Sequence, residues 1–328
     1  MKFDVEMSTC KEGVDVPVPF AGPQTIVKMV KRAEDLGFWA VWGTDFIVPT
    51  PFRAIPDKEP PNWYELLISL TYTAAYTKKI KLGAGVVMIP LRDTIILAKQ
   101  VATIDQFSGG RFLFGVGLGT NREEFEYVRP RDSKANRGQM MDEHMEALHM
   151  LLSHQQKELS YKGKYVEFAN VNLNPKPLQN PLPVYMPGHN EQALRRIAKW
   201  GSGIMVPQHT VKQTLDALKP ILEEHGRKLS DIDFIAEGQQ RIAKTHDKAM
   251  EEFKKSRLGY KRRKLDPTKF AQENWLGTAS EVAEKIIKVK KMGIDHFLSI
   301  HIAADTPEDL MEQFQILAEE VIPVVKAA

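Results

Sequence analysis

Pro187-Gly188-His189-Asn190 is a candidate anion-binding segment. It lies between a short apolar run, Val184–Met186, and a helical run that begins at Glu191. Backbone N–H groups at the start of a helix, opened by a glycine, bind phosphate and similar anions. A plain tight turn, with Asn190 capping the helix, explains the same residues. Both interpretations stay open from the sequence.

A second candidate is the glycine-rich segment Gly115-Val116-Gly117-Leu118-Gly119-Thr120, which follows an apolar strand. A dinucleotide-binding loop needs a glycine at the sixth position so that helix and strand pack closely, and here that residue is Thr120. The sequence offers no convincing acidic partner downstream. The segment therefore favours a place where a flat ligand lies against the backbone at the end of a strand.

The histidines do not form a metal site in the sequence pattern. His144, His149 and His154 are five residues apart, or about 500° of helical rotation, so they share no face and are expected at the surface. His296 and His301 flank the last apolar strand. Each is expected at a solvated or core-edge position.

For two charged segments, a structural role is the preferred interpretation. Asp105 and Arg111 bracket a tight helix-to-strand connection, and this spacing predicts a charge-assisted bond that clamps the turn. The basic run Lys261-Arg262-Arg263-Lys264 is expected to be a solvated surface. The alternative for this run is a lid that reaches toward an acidic cofactor tail.

Composition narrows the class of protein. The 328 residues are 43% hydrophobic and 27% charged, with a net charge of +3, which is ordinary globular composition and predicts no binding of nucleic acid. Cys10 is the single cysteine, so an intramolecular disulfide framework and a Cys-rich zinc site are excluded. The sequence has no apolar run of membrane-spanning length, and acids occupy the first residues. A cytoplasmic location is expected, with no membrane partner.

Strand and helix patterns alternate along the chain. The predicted strands are Lys2–Met7, Phe38–Trp42, Ile80–Val87, Arg111–Val116, Val184–Met186, Gly203–Val206, Asp233–Ala236 and Phe297–Ile300. The predicted helices are Ile26–Leu36, Tyr64–Ala75, Thr94–Phe107, Glu191–Trp200, Val211–His225, Asp247–Arg257, Ser280–Met292 and Pro307–Val325.

This alternation predicts an α/β fold with a parallel sheet, and at this length a (β/α)8 TIM barrel is the leading architecture. A doubly wound open sheet is the runner-up. We expect one domain over residues 1–328, with insertions near 46–62, 119–140, 157–182 and 257–277 at the C-terminal mouth of the barrel. The third insertion is predicted to hold a β-hairpin. The first is a proline-rich loop whose length suggests a lid or binding loop.

Several of these segments, in order and over most of the chain, resemble the bacterial luciferase-like flavin-dependent oxidoreductases. The spacing is most similar to the deazaflavin (F420)-dependent branch, which mixes with FMN users. The resemblance rests on Val41-Trp42-Gly43-Thr44-Asp45, Leu82-Gly83-Ala84-Gly85-Val86, Leu97 to Arg111 with its Ser108-Gly109-Gly110-Arg111 block, Gly115 to Gly119, Glu123-Glu124-Phe125, Asn174-Pro175-Lys176-Pro177, the Gly188 loop and Leu276-Gly277-Thr278.

The resemblance implies a barrel with a flavin-type cofactor at its C-terminal mouth. It also implies a non-proline cis peptide in the third strand, here at Gly85–Val86, whose bulge backs the cofactor ring, while the Gly188 loop carries the phosphate. The cofactor-binding residues implied are Gly85, Val86, Gly117, Leu118, Gly119, Thr120, Pro187, Gly188, His189 and Asn190. Members of this family are often dimers, so a homodimer is expected.

The chain departs from the family at three positions. Phe46 replaces a histidine that often follows the strand-two Asp, Leu118 replaces an arginine that holds the FMN phosphate in luciferase, and Thr120 replaces a glutamate of sugar-phosphate F420 dehydrogenases. The candidate catalytic residues that remain are Asp45, Glu6 and His189. Glu6 has an equal interpretation as a salt-bridge partner inside the barrel. No metal is expected.

The resemblance therefore implies an oxidoreductase that uses reduced F420 to pass a hydride to a small organic substrate. The first alternative is a monooxygenase that uses FMNH2 and O2 and is supplied by a separate flavin reductase. A non-catalytic flavin-binding relative is the alternative from another class. Its motivation is that Phe46 replaces the histidine that family members often carry. A nicotinamide-dependent barrel reductase is the third.

Overall fold

The computed structural model describes residues 1–48, 59–119, 121–155 and 157–328. The predicted first insertion therefore lies partly outside the described residues, as does Thr120. In chain order the strands are β1 (Lys2–Met7), β2 (Ala40–Gly43), β3 (Lys81–Ala84), β4 (Val87–Met88), β5 (Phe112–Gly117), β6 (Leu159–Lys162), β7 (Glu167–Val171), β8 (Val184–Pro187), β9 (Gly203–Pro207), β10 (Asp233–Ile242), β11 (Trp275–Gly277) and β12 (His296–Ile302).

Helices alternate with these strands. They are α1 (Pro23–Asp35), α2 (Leu66–Ala74), α3 (Thr94–Ser108), α4 (Arg122–Val128), α5 (Arg137–Leu152), α6 (Glu191–Trp200), α7 (Val211–Glu224), α8 (His246–Lys255), α9 (Arg257–Arg262), α10 (Pro267–Gln272), α11 (Ala279–Lys290), α12 (Pro307–Ile316) and α13 (Ile322–Ala327). One π-helical segment, Leu317–Val321, joins the last two.

Eight parallel strands close into a barrel in the order β1-β2-β3-β5-β8-β9-β10-β12, and β12 pairs again with β1. The predicted (β/α)8 barrel is confirmed, and the open-sheet alternative is wrong. β4 extends the third strand beside β5, while β11 pairs outside the ring with β10. β6 and β7 form the predicted antiparallel hairpin.

Three segments differ from the predicted elements, each for a physical reason. β10 continues beyond the predicted end at Ala236 to Ile242. In its second half, partly exposed Glu237, Gln239 and Arg241 alternate with buried residues, so this half contains no apolar run that would predict a strand. The sequence pattern does not predict α5, because three methionines and a histidine among its seven buried residues interrupt a regular aliphatic stripe. The expected insertion near 257–277, where the sequence pattern indicates no helix, contains α9 and α10.

Side chains divide between the two faces of the barrel wall. The outward face packs against the helices, and the inward face forms a separate cluster of Ala40, Trp42, Leu113, Tyr185, Met205, Ile235, Leu298 and Ile300. Trp42 fills the centre because Gly83 on the neighbouring strand has no side chain. A Cβ atom at Gly83 would lie 2.3 Å from the indole ring. The barrel is therefore a packed core below its mouth.

A buried ionic network closes the bottom of the barrel. His296 Nε2 lies 2.6 Å from Asp4 Oδ2, and His296 Nδ1 lies 3.0 Å from Asp233 Oδ2. Trp42 donates to Asp4 and Tyr185 donates to Asp233. Burial alone would lower the pKa of His296, but the two carboxylates raise it to about 9. The expected solvated or core-edge position is thus wrong for His296, which is fully buried.

Two further expectations are corrected. His144 is buried between α3 and α5, where its Nδ1 lies 2.7 Å from Thr94 Oγ1, whereas His149 and His154 are exposed as expected. His144 is buried because it falls on the core face of the unpredicted α5.

The predicted bond between Asp105 and Arg111 is not among the hydrogen bonds that these two described residues make. Arg111 donates to the carbonyl oxygens of Ala74, Thr77 and Ile80, so its guanidinium secures the connection from α2 to β3. Asp105 instead accepts two bonds from Gln179, from the backbone N–H and the side-chain amide. Arg111 Nε also donates to the Ser108 carbonyl oxygen at 2.7 Å, so Arg111 secures its own turn as well, whereas the Asp105 carboxylate bonds Gln179.

Candidate functional site

The mouth of the barrel is built on a steric fit between the third and fourth barrel strands. The Gly85–Val86 peptide is cis, which confirms the position implied by the resemblance. A Cβ atom at Gly115 would lie 1.8 Å from the carbonyl oxygen of Ala84. A Cβ atom at Gly117 would lie 2.6 Å from Val86 Cγ2. We call Gly85, Val86, Gly115 and Gly117 the Val86 shelf.

The shelf continues onto the fifth barrel strand. β5 pairs with β8, and a Cβ atom at Gly117 would also lie 4.0 Å from Pro187 Cγ. Gly119 has a φ of 73°, and a side chain there would meet Met88 Sδ at 2.8 Å. The structure therefore brings together most of the predicted cofactor-binding residues on three neighbouring strands. Half-buried Leu118 lies within this stretch.

The Gly188 loop begins α6. Gly188 has a φ of 136°, and a Cβ atom there would lie 2.6 Å from Ala193 Cβ, so this position needs glycine for the turn itself. Asn190 caps the helix by accepting a bond from the Ala193 N–H at 2.9 Å. His189 is exposed. The cap confirms the structural interpretation, while anion binding by the same loop stays a prediction.

Asp45 braces the shelf from behind. Its carboxylate accepts a bidentate pair from Arg92 at 2.7 and 2.9 Å and a bond from the Met88 N–H at 2.9 Å. Arg92 also donates to Glu65, the N-cap of α2. Asp45 is only 3% exposed, so its oxygens are engaged by groups that fix the segment after the cis peptide. A catalytic role for Asp45 stays a prediction.

Glu6 is the salt-bridge partner that the sequence left open. Its Oε2 contacts Lys11 Nζ, and its Oε1 accepts the Ile302 N–H at 3.0 Å. Both charged side chains are 1% exposed, and burial lowers the pKa of Lys11 to about 7. Lys11 Nζ also contacts the Ile300 carbonyl oxygen and lies 3.1 Å from His301 Nδ1. Glu6 therefore joins the ends of β1 and β12.

An inward-facing glutamate that sequence reasoning missed is Glu237. Ile235 belongs to the interior cluster, and side chains alternate along a strand, so Glu237 on β10 faces the mouth. No hydrogen bond or ion pair joins its carboxylate to another residue in the described part of the chain. Burial raises the pKa of Glu237 to about 7. The sequence does contain an indication of this position: Glu237 directly follows the predicted strand Asp233–Ala236, and residues at strand ends line the mouth of a barrel.

In the described part of the chain, three or more His, Cys, Asp or Glu side chains do not come together as a metal-binding group. Among the described residues, no helix has the length and apolar character needed to cross a membrane.

The site thus has two sides: a glycine-lined shelf on β3, β5 and β8, and titratable groups on β1, β10 and β12. A (β/α)8 barrel with functional groups at the strand ends defines an enzyme-type mouth. A family model described as luciferase-like monooxygenase matches residues 1–286, and the chain belongs to that family.

Relatives and a solved structure agree with this membership. The chain is 28% identical to a 5,10-methylenetetrahydromethanopterin reductase of Methanopyrus kandleri, over 75% of this chain and 70% of that protein. It is 26% identical to an FMNH2-dependent dimethylsulfone monooxygenase of Pseudomonas putida, over 77% and 76%. The structure of a coenzyme F420-dependent tetrahydromethanopterin reductase from Methanopyrus kandleri superposes with a TM-score of 0.77 at 22% identity, over 98% of each chain.

The family comprises oxidoreductases and monooxygenases that act on small molecules, and it includes both F420-dependent and FMN-dependent members. Membership therefore fixes an enzyme of this flavin or deazaflavin class and leaves open which of the two cofactors this chain uses.

The raised pKa of Glu237 predicts a pH-dependent stability. The folded chain holds this proton up to about pH 7, whereas the unfolded chain releases it near the ordinary value of 4.5, so wild-type stability falls as pH rises between these values. Glu237→Gln removes the titration. We expect its melting temperature to exceed that of wild type at pH 8 by more than at pH 5.

Glu284→Gln, at an exposed glutamate of α11, is the matched control and should show no such difference between the two pH values. An equal change in melting temperature at pH 5 and pH 8 for Glu237→Gln would contradict the raised pKa of Glu237.

Proposed function

We propose that this chain transfers a hydride between F420 and a small organic substrate. The observation that supports the proposal is the Val86 shelf, because half-buried Gly85 and Val86 lie at the mouth and the buried glycines at 115 and 117 let β5 pack directly against them. Leu118, where an arginine holds the FMN phosphate in luciferase, weighs toward F420. Once bound, the deazaflavin ring supplies the hydride chemistry.

The shelf and its neighbours fit such a cofactor. Val86 and Gly117 would lie against one face of the ring, and Pro187 continues the same surface toward the Gly188 loop. The loop lies at the N-terminus of α6, where backbone N–H groups and the helix dipole favour a phosphate. Asp45 and Arg92 hold the shelf in place, because their bidentate pair joins the segment after β2 to the segment after β4.

Glu237 then handles the proton of the reaction. A carbonyl or imine carbon that accepts a hydride needs a proton on its oxygen or nitrogen, and the protonated Glu237 carboxyl donates it, leaving a carboxylate. In the reverse direction the carboxylate takes that proton back. A carboxyl group with a pKa near 7 suits both directions at neutral pH. The ion-paired Glu6 is less suited to this role, since Lys11 occupies its Oε2.

The alternative within the same family is an FMNH2- and O2-dependent monooxygenase supplied by a separate flavin reductase. The similarity to the dimethylsulfone monooxygenase, over 77% of this chain, favours it as the second candidate. A non-catalytic flavin-binding relative is the remaining alternative. It is motivated by Phe46, which packs against Trp63 with ring centroids 5.2 Å apart where relatives often carry a histidine.

A paired fluorescence titration tests the function. Purified chain is titrated with FMN and with F420, each oxidised and reduced, and we expect F420 to bind with micromolar or tighter affinity and FMN more weakly. Glu237→Gln should bind F420 like wild type and lose hydride transfer from reduced F420 to a carbonyl substrate.

Tight binding of FMN alone, with oxygen uptake by the reduced complex, would replace the proposal with the monooxygenase. F420 binding without turnover on any reducible carbonyl, imine or alkene would support the non-catalytic relative. Direct consumption of NAD(P)H without added flavin or F420 would contradict all three.

We also infer that the chain is a cytoplasmic homodimer. The outer face of α2 and α3 exposes apolar side chains, with Ile68 67% exposed and Ile96 59% exposed, beside a groove lined by Leu67 and Tyr72. A second copy would cover this face, as oligomers bury such patches. Light scattering should give twice the 37.2 kDa chain mass, and Ile68→Glu should reduce it to one chain. A wild-type mass of one chain at micromolar concentration would contradict the dimer.

A further inference from the structure

Three residues of the basic run at the end of α9, Lys261, Arg262 and Arg263, lie in different environments. Lys261 Nζ lies 2.9 Å from Asp15 Oδ1, which anchors the helix to the loop after β1. Arg263 turns back onto its own helix, where its guanidinium stacks on the Tyr260 ring at 3.9 Å and donates to the Tyr260 carbonyl oxygen. Arg262 alone reaches the barrel wall, where its Nε donates to Gln239 Oε1 at 3.3 Å. The run is thus more than a solvated surface.

The contact with Gln239 places Arg262 at the mouth. The next residue, Gln240, bonds Ser299 and Gln313, on the side of the helices. Side chains alternate along β10, so Gln239 faces the axis on the same side as Glu237, two residues earlier. The irregular pairing at this point adds its extra residue to β12 and leaves the alternation of β10 intact. Arg262 and Glu237 therefore border the same opening.

Among the described residues on this side of the mouth, Arg262 carries a positive charge that no carboxylate contact compensates. Lys11 is paired with Glu6, and Lys261 is paired with Asp15. Burial lowers the pKa of His301, beside Asp15, to about 4, and burial raises the pKa of Glu237 to about 7.

Among the described residues, no carboxylate lies within ion-pair distance of Arg262. A partly buried guanidinium whose bond is to a neutral amide has most of its donors available, and its planar fork matches a carboxylate or phosphate.

We propose that Arg262 binds an anionic group, a carboxylate or phosphate, on the substrate and thereby directs the substrate's reducible carbon toward Glu237. The orientation of the reducible carbon toward Glu237 rests on the proposed function. The binding of an anion by Arg262 rests only on the arrangement of charges. An acidic cofactor tail offers the same anionic chemistry. The substrate is the favoured source, because Arg262 contacts Gln239 on β10, the strand that carries the proton donor Glu237, whereas the Gly188 loop follows β8, two strands away.

Calorimetric titration with benzoate, phenyl phosphate and the neutral benzamide tests the charge recognition. At pH 7 the wild-type chain should bind at least one of the two anions, and benzamide at least about tenfold more weakly. Arg262→Ala should lose about tenfold or more in affinity for the anion, and Arg262→Lys should recover part of it. Arg263→Ala, which removes an equal charge one residue away, should bind the anion like wild type.

The proposal is overturned if neither anion binds at millimolar concentration, if benzamide binds as well as both anions, or if Arg262→Ala and Arg263→Ala behave alike. Circular dichroism of both variants guards against a folding defect, and Arg262→Gln offers a second neutral variant. Because these titrations need no cofactor, they succeed or fail independently of the proposed redox reaction.

Titration of Arg262→Ala with F420 and FMN separates the two sources of the anion. Cofactor affinity equal to that of wild type, together with lost benzoate or phenyl phosphate binding, places the anion on the substrate. A loss of F420 affinity with unchanged benzoate and phenyl phosphate binding would place Arg262 on the cofactor tail and overturn the assignment to the substrate.

Discussion

The site depends on two missing side chains. At Gly115 and Gly117 the fourth barrel strand passes so close to Ala84 and Val86 that a single Cβ atom would collide with them. The absence of these side chains lets the cis Gly85–Val86 segment pack directly against β5 at the mouth. Packing in protein interiors tolerates little overlap, so this fit constrains the position of everything above it.

Charges around the shelf are arranged in two groups. Asp45 with Arg92, and Glu6 with Lys11, are buried pairs that connect strand ends and hold the wall of the mouth in place. Breaking such a pair leaves an uncompensated buried charge and destabilises a protein strongly. Glu237 and Arg262 belong to neither pair. They therefore remain available for proton transfer and for an anion, which are tasks that paired charges perform poorly.

The sequence predicts the barrel because apolar strands and amphipathic helices alternate with clear punctuation, as in Glu191–Trp200, whose predicted and observed bounds are the same. It also locates the cis peptide, through the resemblance alone. It fails where side-chain partners are distant in the chain. Nothing local indicates that Arg111 secures the connection after α2, or that His296 lies between Asp4 and Asp233.

The missed candidates follow the same rule. Glu237 lies on the half of β10 where polar and buried residues alternate, so the apolar run ends before it. Arg262 is one of four consecutive basic residues in the sequence, and only tertiary contacts distinguish it from Lys261 and Arg263. The steric requirement at Gly117 likewise appears only when the third and fourth barrel strands are placed side by side.

Cofactor affinity of the Gly117→Ala variant, compared with wild type and with Gly22→Ala, tests the shelf most directly. Position 22 has no atom within 4 Å of an added Cβ, so Gly22→Ala should bind F420 or FMN, whichever the wild type prefers, with unchanged affinity. Gly117→Ala should weaken binding by about tenfold or more while retaining its circular dichroism spectrum, because the added methyl group displaces Val86 or the ring. A folded Gly117→Ala chain with wild-type affinity would contradict the placement of the cofactor ring on the Val86 shelf.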